Sequence, residues 1–402
     1  MNKISENRHF YISTIFTTIY FLPFFIQGFI SSDWDSYAIV GTTFNYFDSK
    51  IYTPSRPPGF PLYELSVGLL ISFSKKISIE FEKMLLIFQY FQLLSLNLII
   101  LNLVKKFEKN IFIYYLIIFS PIYIISGLTV IDYFLGAIFG FLALYCVFFR
   151  KNTHLTILLS SLFLSFSVSS RLSNLIFILV VLLFLIFNRK NYKNSFLFIF
   201  YTTLFTILIY IPFYTDIYSF LQTQGQINNS LDFLCIFNLA NTDHGFIDRL
   251  ARFFLKQINF IGIIGFLILL INIKKLKINL KNKNIYLFLT FLFFELSFLR
   301  LPTEEGHLLP AFIALFLLID FKNVNLLKIV LFFVILTSFL NIKFYEVDKI
   351  DGASTGKLTL SIESGLLIQD YELRDEKGLK KEFHYKNAQN SLLETWKNGC
   401  PN

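Results

Sequence analysis

A chain of 402 residues in which 55% are hydrophobic and only 16% charged, with a mean hydropathy of +0.60, is no ordinary soluble domain, because such domains carry roughly 25% charged residues. The formal charge of +9 is spread over short clusters between long apolar runs, the pattern of loops in membrane proteins, and no basic face on a soluble domain speaks for a nucleic-acid partner. Three cysteines, Cys146, Cys235 and Cys400, have neither metal-ligand spacing nor the density of a disulfide scaffold.

The first apolar run, residues 10–30, follows Lys3 and Arg8 and lacks a small-residue cleavage site. It reads as a retained signal anchor. A transmembrane helix needs roughly 20 apolar residues, and runs that meet or approach this follow at 84–104, 111–126, 133–149, 155–170, 171–187, 195–213, 253–273, 285–299, 307–320 and 326–342. The stretch 155–187 is too long for one span and divides near Arg171. Residues 59–74 are short, begin with Gly and Pro, and carry Glu64, which is expensive at the bilayer centre. They read as an interfacial helix instead.

Charge then sets the orientation. With 59–74 lying on the surface, one set of loops holds Lys105, Lys106, Lys109, Arg150, Lys151, Arg189, Lys190, Lys193, the lysines of 274–283, and Lys322. Basic residues favour the cytoplasmic side, so the N-terminus is expected inside and the C-terminus outside. The expected fold is an all-α polytopic membrane protein of about eleven transmembrane helices in the cell's inner, cytoplasmic membrane. Residues 1–342 form the membrane domain and 343–402 a small external tail or domain. Segments 31–83, the turn at Asp132, 214–252 and 300–306 lie outside in this reading, and Cys235 and Cys400 are then placed where a disulfide can form. Cys146 falls within a helix and is expected to serve packing.

The candidate chemistry follows in chain order. Asp33-Trp34-Asp35 places two carboxylates at the exit of the first helix, with Tyr37 close behind. Solvated helix ends also look like this. The chemical reading is a general base, with Asp33 and Asp35 as the ligands of a divalent cation, Mg or Mn, if one is used. Arg56, in Tyr52-Thr53-Pro54-Ser55-Arg56-Pro57-Pro58-Gly59-Phe60-Pro61, offers planar donors suited to a phosphate, or simply sits in a rigid corner. Asp132 sits at an external helix end. Arg171 interrupts an apolar stretch, and a charge at membrane depth argues for function, with snorkelling to the interface as the plain alternative. In 214–252, Asp243, His244, Arg249 and Arg252 form a polar cluster before a span, suited to phosphate or to interfacial anchoring. Glu304, Glu305 and His307 suggest a metal site only weakly and fit better as an ordering element of an external pocket.

The order of these motifs resembles that of the GT-C glycosyltransferases, and within them the protein O-mannosyltransferase and lipid A aminoarabinose transferase branch. The resemblance rests on the acidic pair after the first span, the R-P-P-G-x-P-L-Y run from Arg56, Phe119-Ser120-Pro121 through Asp132, Ser169-Ser170-Arg171-Leu172-Ser173-Asn174, and Glu304-Glu305-Gly306-His307-Leu308-Leu309-Pro310-Ala311. The last is similar to the family's E-x-R-Y-L-L-P-A, with Gly306 and His307 replacing Arg and Tyr. It covers residues 10–320 and implies a GT-C-like bundle with interfacial helices in the first external loop. It also implies a polyprenyl-phosphate sugar donor, transfer with inversion, and a lipid, glycan or protein acceptor. By the same resemblance Asp33, with Asp35 second, takes the catalytic position; Arg56, Arg171 and Arg300 become candidates to hold the donor phosphate; Tyr37, Asp132, Glu304, Glu305 and His307 line the pocket. A transporter or flippase for a lipid-linked glycan is the competing class, and it expects charges lining the mid-membrane.

Overall fold

The computed structural model describes residues 3–28, 30, 34–55, 59–223, 250, 253–254, 257, 261–278, 280, 282–300, 305–337, 340–346 and 358–364. The chain is mostly helical, as the long apolar runs require. Helix α1 is Lys3–Gln27, α2 Trp34–Ser49, α3 Pro61–Lys76 and α4 Phe81–Lys106. Then come α5 Ile111–Ile118, α6 Pro121–Leu128, α7 Tyr133–Phe149, α8 His154–Ser170, α9 Leu175–Leu183, α10 Tyr192–Tyr210 and α11 Tyr214–Thr223. The later helices are α12 Gly262–Ile271, α13 Asn284–Arg300, α14 Leu309–Leu318 and α15 Val324–Thr337.

Among the described residues, three helical stretches are long and apolar enough to cross a membrane: Arg8–Ile26, Phe81–Lys106 and Tyr192–Ser219. The other expected spans appear as shorter apolar helices, including Tyr133–Phe149, His154–Ser170, Leu172–Asn188 and Val324–Thr337. The single span expected at 111–126 is instead two helices, α5 and α6, meeting at 57°. Pro121 explains the break, since it lacks an N–H and its ring conflicts with the carbonyl one turn back. Ser120 Oγ takes up that carbonyl, on Ile117, at 2.7 Å.

The outer helices wear apolar side chains outward. Tyr11, Ile15, Ile19 and Ile26 of α1 and Tyr192, Phe196, Phe200 and Ile207 of α10 are exposed. Continuous apolar surface of this kind is unfavourable in water and natural against lipid. The interior helices approach closely through small residues. A Cβ at Gly136 of α7 would stand 2.2 Å from Asn174 Nδ2, and one at Gly140 2.3 Å from the Phe177 ring. Serines of α8 bond across to α10, Ser161 Oγ to the Phe198 carbonyl at 3.2 Å and Ser165 Oγ to that of Thr202 at 2.9 Å.

Contacts sort the helix ends into two layers. The Ile30 carbonyl, just past α1, accepts from Val130 N at 3.1 Å, beside the start of α7. At the far end of α7, Phe149 meets Phe107, which follows α4, and Lys283, which precedes α13. Lys109 reaches the end of α14 there, bonding the Leu318 carbonyl at 3.2 Å and pairing with Asp320. Asp320 lies in β2, Ile319–Phe321, which pairs antiparallel with β1, Leu276–Ile278, in the register Lys277 opposite Asp320. The expected last run, 326–342, is helical only to Thr337. Strand β3, Leu340–Glu346, follows and pairs antiparallel with β4, Leu358–Ser364, in the tail. Cys146 is buried in α7; Cys235 and Cys400 lie outside the described residues.

Candidate functional site

Arg171 is where the long apolar stretch 155–187 breaks. Helix α8 ends at Ser170, Arg171 takes an extended conformation, and a 3-10 turn over Leu172–Asn174 leads into α9. Helices α7 and α8 form an antiparallel pair, which brings Arg171 back beside the start of α7. The glycines of α7 let the following turn sit close, and Asn174 Nδ2 bonds the Ser167 carbonyl at 3.2 Å while Ser167 Oγ bonds that of Gly136 at 2.7 Å. The turn is therefore held from both sides.

In that position the guanidinium is buried, with Arg171 only 6% exposed and Asp132 at 0%. Arg171 Nη1 forms an ion pair with Asp132 Oδ1. Nη2 lies 2.9 and 2.7 Å from the two ring nitrogens of His307. A guanidinium has no acceptor, so the imidazole accepts. The Tyr133 ring completes the cradle, 4.1 Å from the guanidinium carbon, and meets His307 edge-on at 5.7 Å between centroids. Arg171 Nε has no hydrogen-bond partner among the described residues. Arg171 is thus neutralised in place by protein groups. An anchored guanidinium of this kind gives the site a fixed positive charge, which favours an oxyanion placed beside it.

A second carboxylate is organised near the start of α3. Glu64, the residue that argues against a span, is fully buried yet satisfied. It accepts from Tyr52 Oη, Ser55 Oγ and, at 3.0 Å, Ser55 N. Tyr52 N in turn donates to Asp216 of α11 at 2.9 Å. Burial first, and then the Glu64 charge, push the Tyr52 hydroxyl well above its ordinary pKa, so it stays protonated and donates. Glu64 therefore fixes residues 52–55 immediately before Arg56. Beside it lies a cavity of about 210 Å³, lined by Thr42, Thr43, Tyr52, Gly68 and Phe213 among others.

The structure brings together Asp132, Arg171 and His307 from the sequence-expected set. Asp33, Arg56 and Glu304 lie outside the described residues, as do Asp243, His244, Arg249 and Arg252. Asp35, Arg300 and Glu305 are placed only as backbone, in α2, in α13 and at the first position of the turn Glu305–Leu308. Tyr37 is buried in the apolar core on α2. No group of three acidic, His or Cys side chains suited to a metal occurs among the described residues. Sequence reasoning missed Tyr133, Gly306 and the role of Glu64. Gly306 is needed because a Cβ there would stand 2.3 Å from Tyr133 Cε2. The G-x-x-x-G spacing of Gly136 and Gly140 was a readable signal for the close approach; nothing local announced Glu64 beyond a carboxylate in an apolar helix. No family model, curated protein or solved structure matches the chain.

Proposed function

We propose that the chain is an integral membrane glycosyltransferase that moves a sugar from a polyprenyl-phosphate donor to an acceptor hydroxyl on the external face of the cytoplasmic membrane. The observation that carries the reading is the Arg171 guanidinium, buried, anchored by Asp132 and His307, and set at the end of the helix layer where α1 finishes, just before Asp33 in the chain. In this scheme about eleven apolar segments cross the bilayer, with the N-terminus cytoplasmic and the C-terminus external.

Asp33 takes the acceptor's hydroxyl proton as that oxygen attacks the anomeric carbon. The bond from that carbon to the donor phosphate breaks with its electron pair on the phosphate oxygen, and the configuration inverts. A phosphate needs charge compensation more than protonation when it leaves. Arg171 supplies it, with Arg56 and Arg300 as further donors. Asp35 supports Asp33. The cavity beside Glu64 offers room for part of an isoprenoid chain.

One observation favours the competing transporter class. Glu295, in the second half of the apolar helix α13, is buried and bonded to Gln257, and a carboxylate inside a spanning helix is of the kind that proton-coupled carriers use. Both readings meet the same assay. Membranes holding the wild type, Asp33→Asn or Arg171→Lys are incubated with radiolabelled polyprenyl-phosphate sugars and cell-envelope extract. We expect transfer by the wild type and a loss of about 100-fold or more in Asp33→Asn. Equal transfer by wild type and Asp33→Asn removes Asp33 as the base; no transfer from any donor favours the transporter.

A further inference from the structure

The opposite end of α7 carries cations without acids. Arg189 Nη2 donates to the carbonyls of Val147 and Arg150, both at 3.3 Å, and so caps α7. The Lys283 ammonium lies 4.3 Å from the centroid of the Phe149 ring, and the same ring meets Phe107, next to Lys106, edge-on at 5.1 Å between centroids. Lys283 and the Arg189 cap thus meet at this end of α7 from separate segments of the chain, and Lys106, at the end of α4, is near enough for its charge to act on Lys283.

They repel one another. Partial burial, followed by the charges of Arg189 and Lys106, lowers the Lys283 pKa, and no carboxylate among the described residues acts on it in return. Of the nearby acids among the described residues, Asp320 is taken by Lys109 and Glu108 is exposed. Among the described residues neither Lys106 nor Lys283 makes a side-chain hydrogen bond or ion pair, and Arg189 Nε is buried without a partner. Capping of α7 accounts for Arg189 but leaves the two lysines unexplained. A cluster held together against its own repulsion is stabilised by a bound anion.

We propose that Lys106, Arg189 and Lys283 form a binding site for the phosphate of an anionic lipid headgroup. A lipid is preferred to free phosphate because exposed apolar side chains flank the cations: Phe187 lies two residues before Arg189 and Ile285 two after Lys283. Such a site offers both halves of an amphiphile a partner, and the inner leaflet concentrates anionic lipid where basic loops face it. The site stands apart from the transfer chemistry and needs only the bilayer setting.

The test uses the full chain purified in a neutral detergent and follows its Tm during addition of phosphatidylglycerol, phosphatidylcholine or inorganic phosphate. Phosphatidylglycerol should raise Tm by about 3 °C or more, the other two should not, and 0.5 M salt should weaken the effect. Lys106→Gln/Lys283→Gln leaves the Arg189 cap intact and should require about tenfold more phosphatidylglycerol for the same shift. Lys151→Gln, an exposed cation of the same end, should respond as wild type. The single variants Lys106→Gln and Lys283→Gln should each fall between. An unchanged response of the double variant, or equal shifts with phosphatidylcholine or inorganic phosphate, overturns the proposal.

Discussion

Helix α7 spans 17 residues, about 25 Å at 1.5 Å per residue, and its two ends treat charge in opposite ways. At Asp132 one arginine is buried, matched by one carboxylate and gripped by a histidine and a tyrosine. At the Phe149 end three cations lie near one another, two of them without an acceptor among the described residues. The first arrangement fixes a guanidinium in one geometry, which is what recognition of a reacting group requires. The second leaves charge uncompensated and half in solvent, which suits a headgroup that supplies its own countercharge. The same residue type therefore carries different consequences according to its partners, and substitutions at the two ends should differ in size and in sign.

The largest effect is expected at the paired end. Asp132→Ala leaves Arg171 buried and unmatched, which should destabilise the chain by about 3–5 kcal/mol. Thermal unfolding in detergent measures it. Asp132→Ala/Arg171→Ala should be closer to wild type than either single variant, and additive losses would show that the two are not coupled. Gly306→Ala comes next. The added methyl meets Tyr133, so overpacking should cost about 1–3 kcal/mol, and Tyr133→Leu should relieve much of it in the same measurement. Glu64→Gln keeps the shape of the side chain but removes the charge that Tyr52 and Ser55 serve. A loss of about 1–3 kcal/mol is expected, with faster proteolysis between residues 50 and 60.

The smallest effect belongs to the cation-rich end, and its sign is reversed. The folded-state pKa of Lys283 is depressed, so in the window between that value and the ordinary value of 10.5 the unfolded chain holds more protons than the folded one. Stability should therefore rise with pH through that window. Lys283→Met should flatten the rise and leave stability at neutral pH unchanged or slightly increased; a steeper rise would contradict the assignment.

The helical elements were largely legible from sequence, because apolar runs have a direct physical meaning. The break at Arg171 and the helix at 59–74 follow from run length, Pro and Gly, and the structure places a helix boundary and α3 there. Run length alone could not show that Pro121 divides 111–126 into α5 and α6, since a proline within an apolar segment either kinks or ends a helix according to its neighbours. The site was half readable. Asp132, Arg171 and His307 stand out as polar residues at the ends of apolar runs, but their mutual contact depends on the close approach of α7 to the turn at Leu172–Asn174. Glu64 was read as a reason against a span. Its partners, Tyr52 and Ser55, come from a loop whose path no periodicity describes.

The account requires that the two ends of α7 face opposite sides of a bilayer. Membrane-impermeant maleimide labelling of intact cells tests this most directly, using Lys50→Cys in the segment expected outside and Lys151→Cys just beyond α7, both exposed positions, in a chain whose native cysteines are replaced by serine. The prediction is labelling of Lys50→Cys from outside, with Lys151→Cys reacting only after the cells are permeabilised. Labelling of both from the same side, or the reverse pattern, contradicts it.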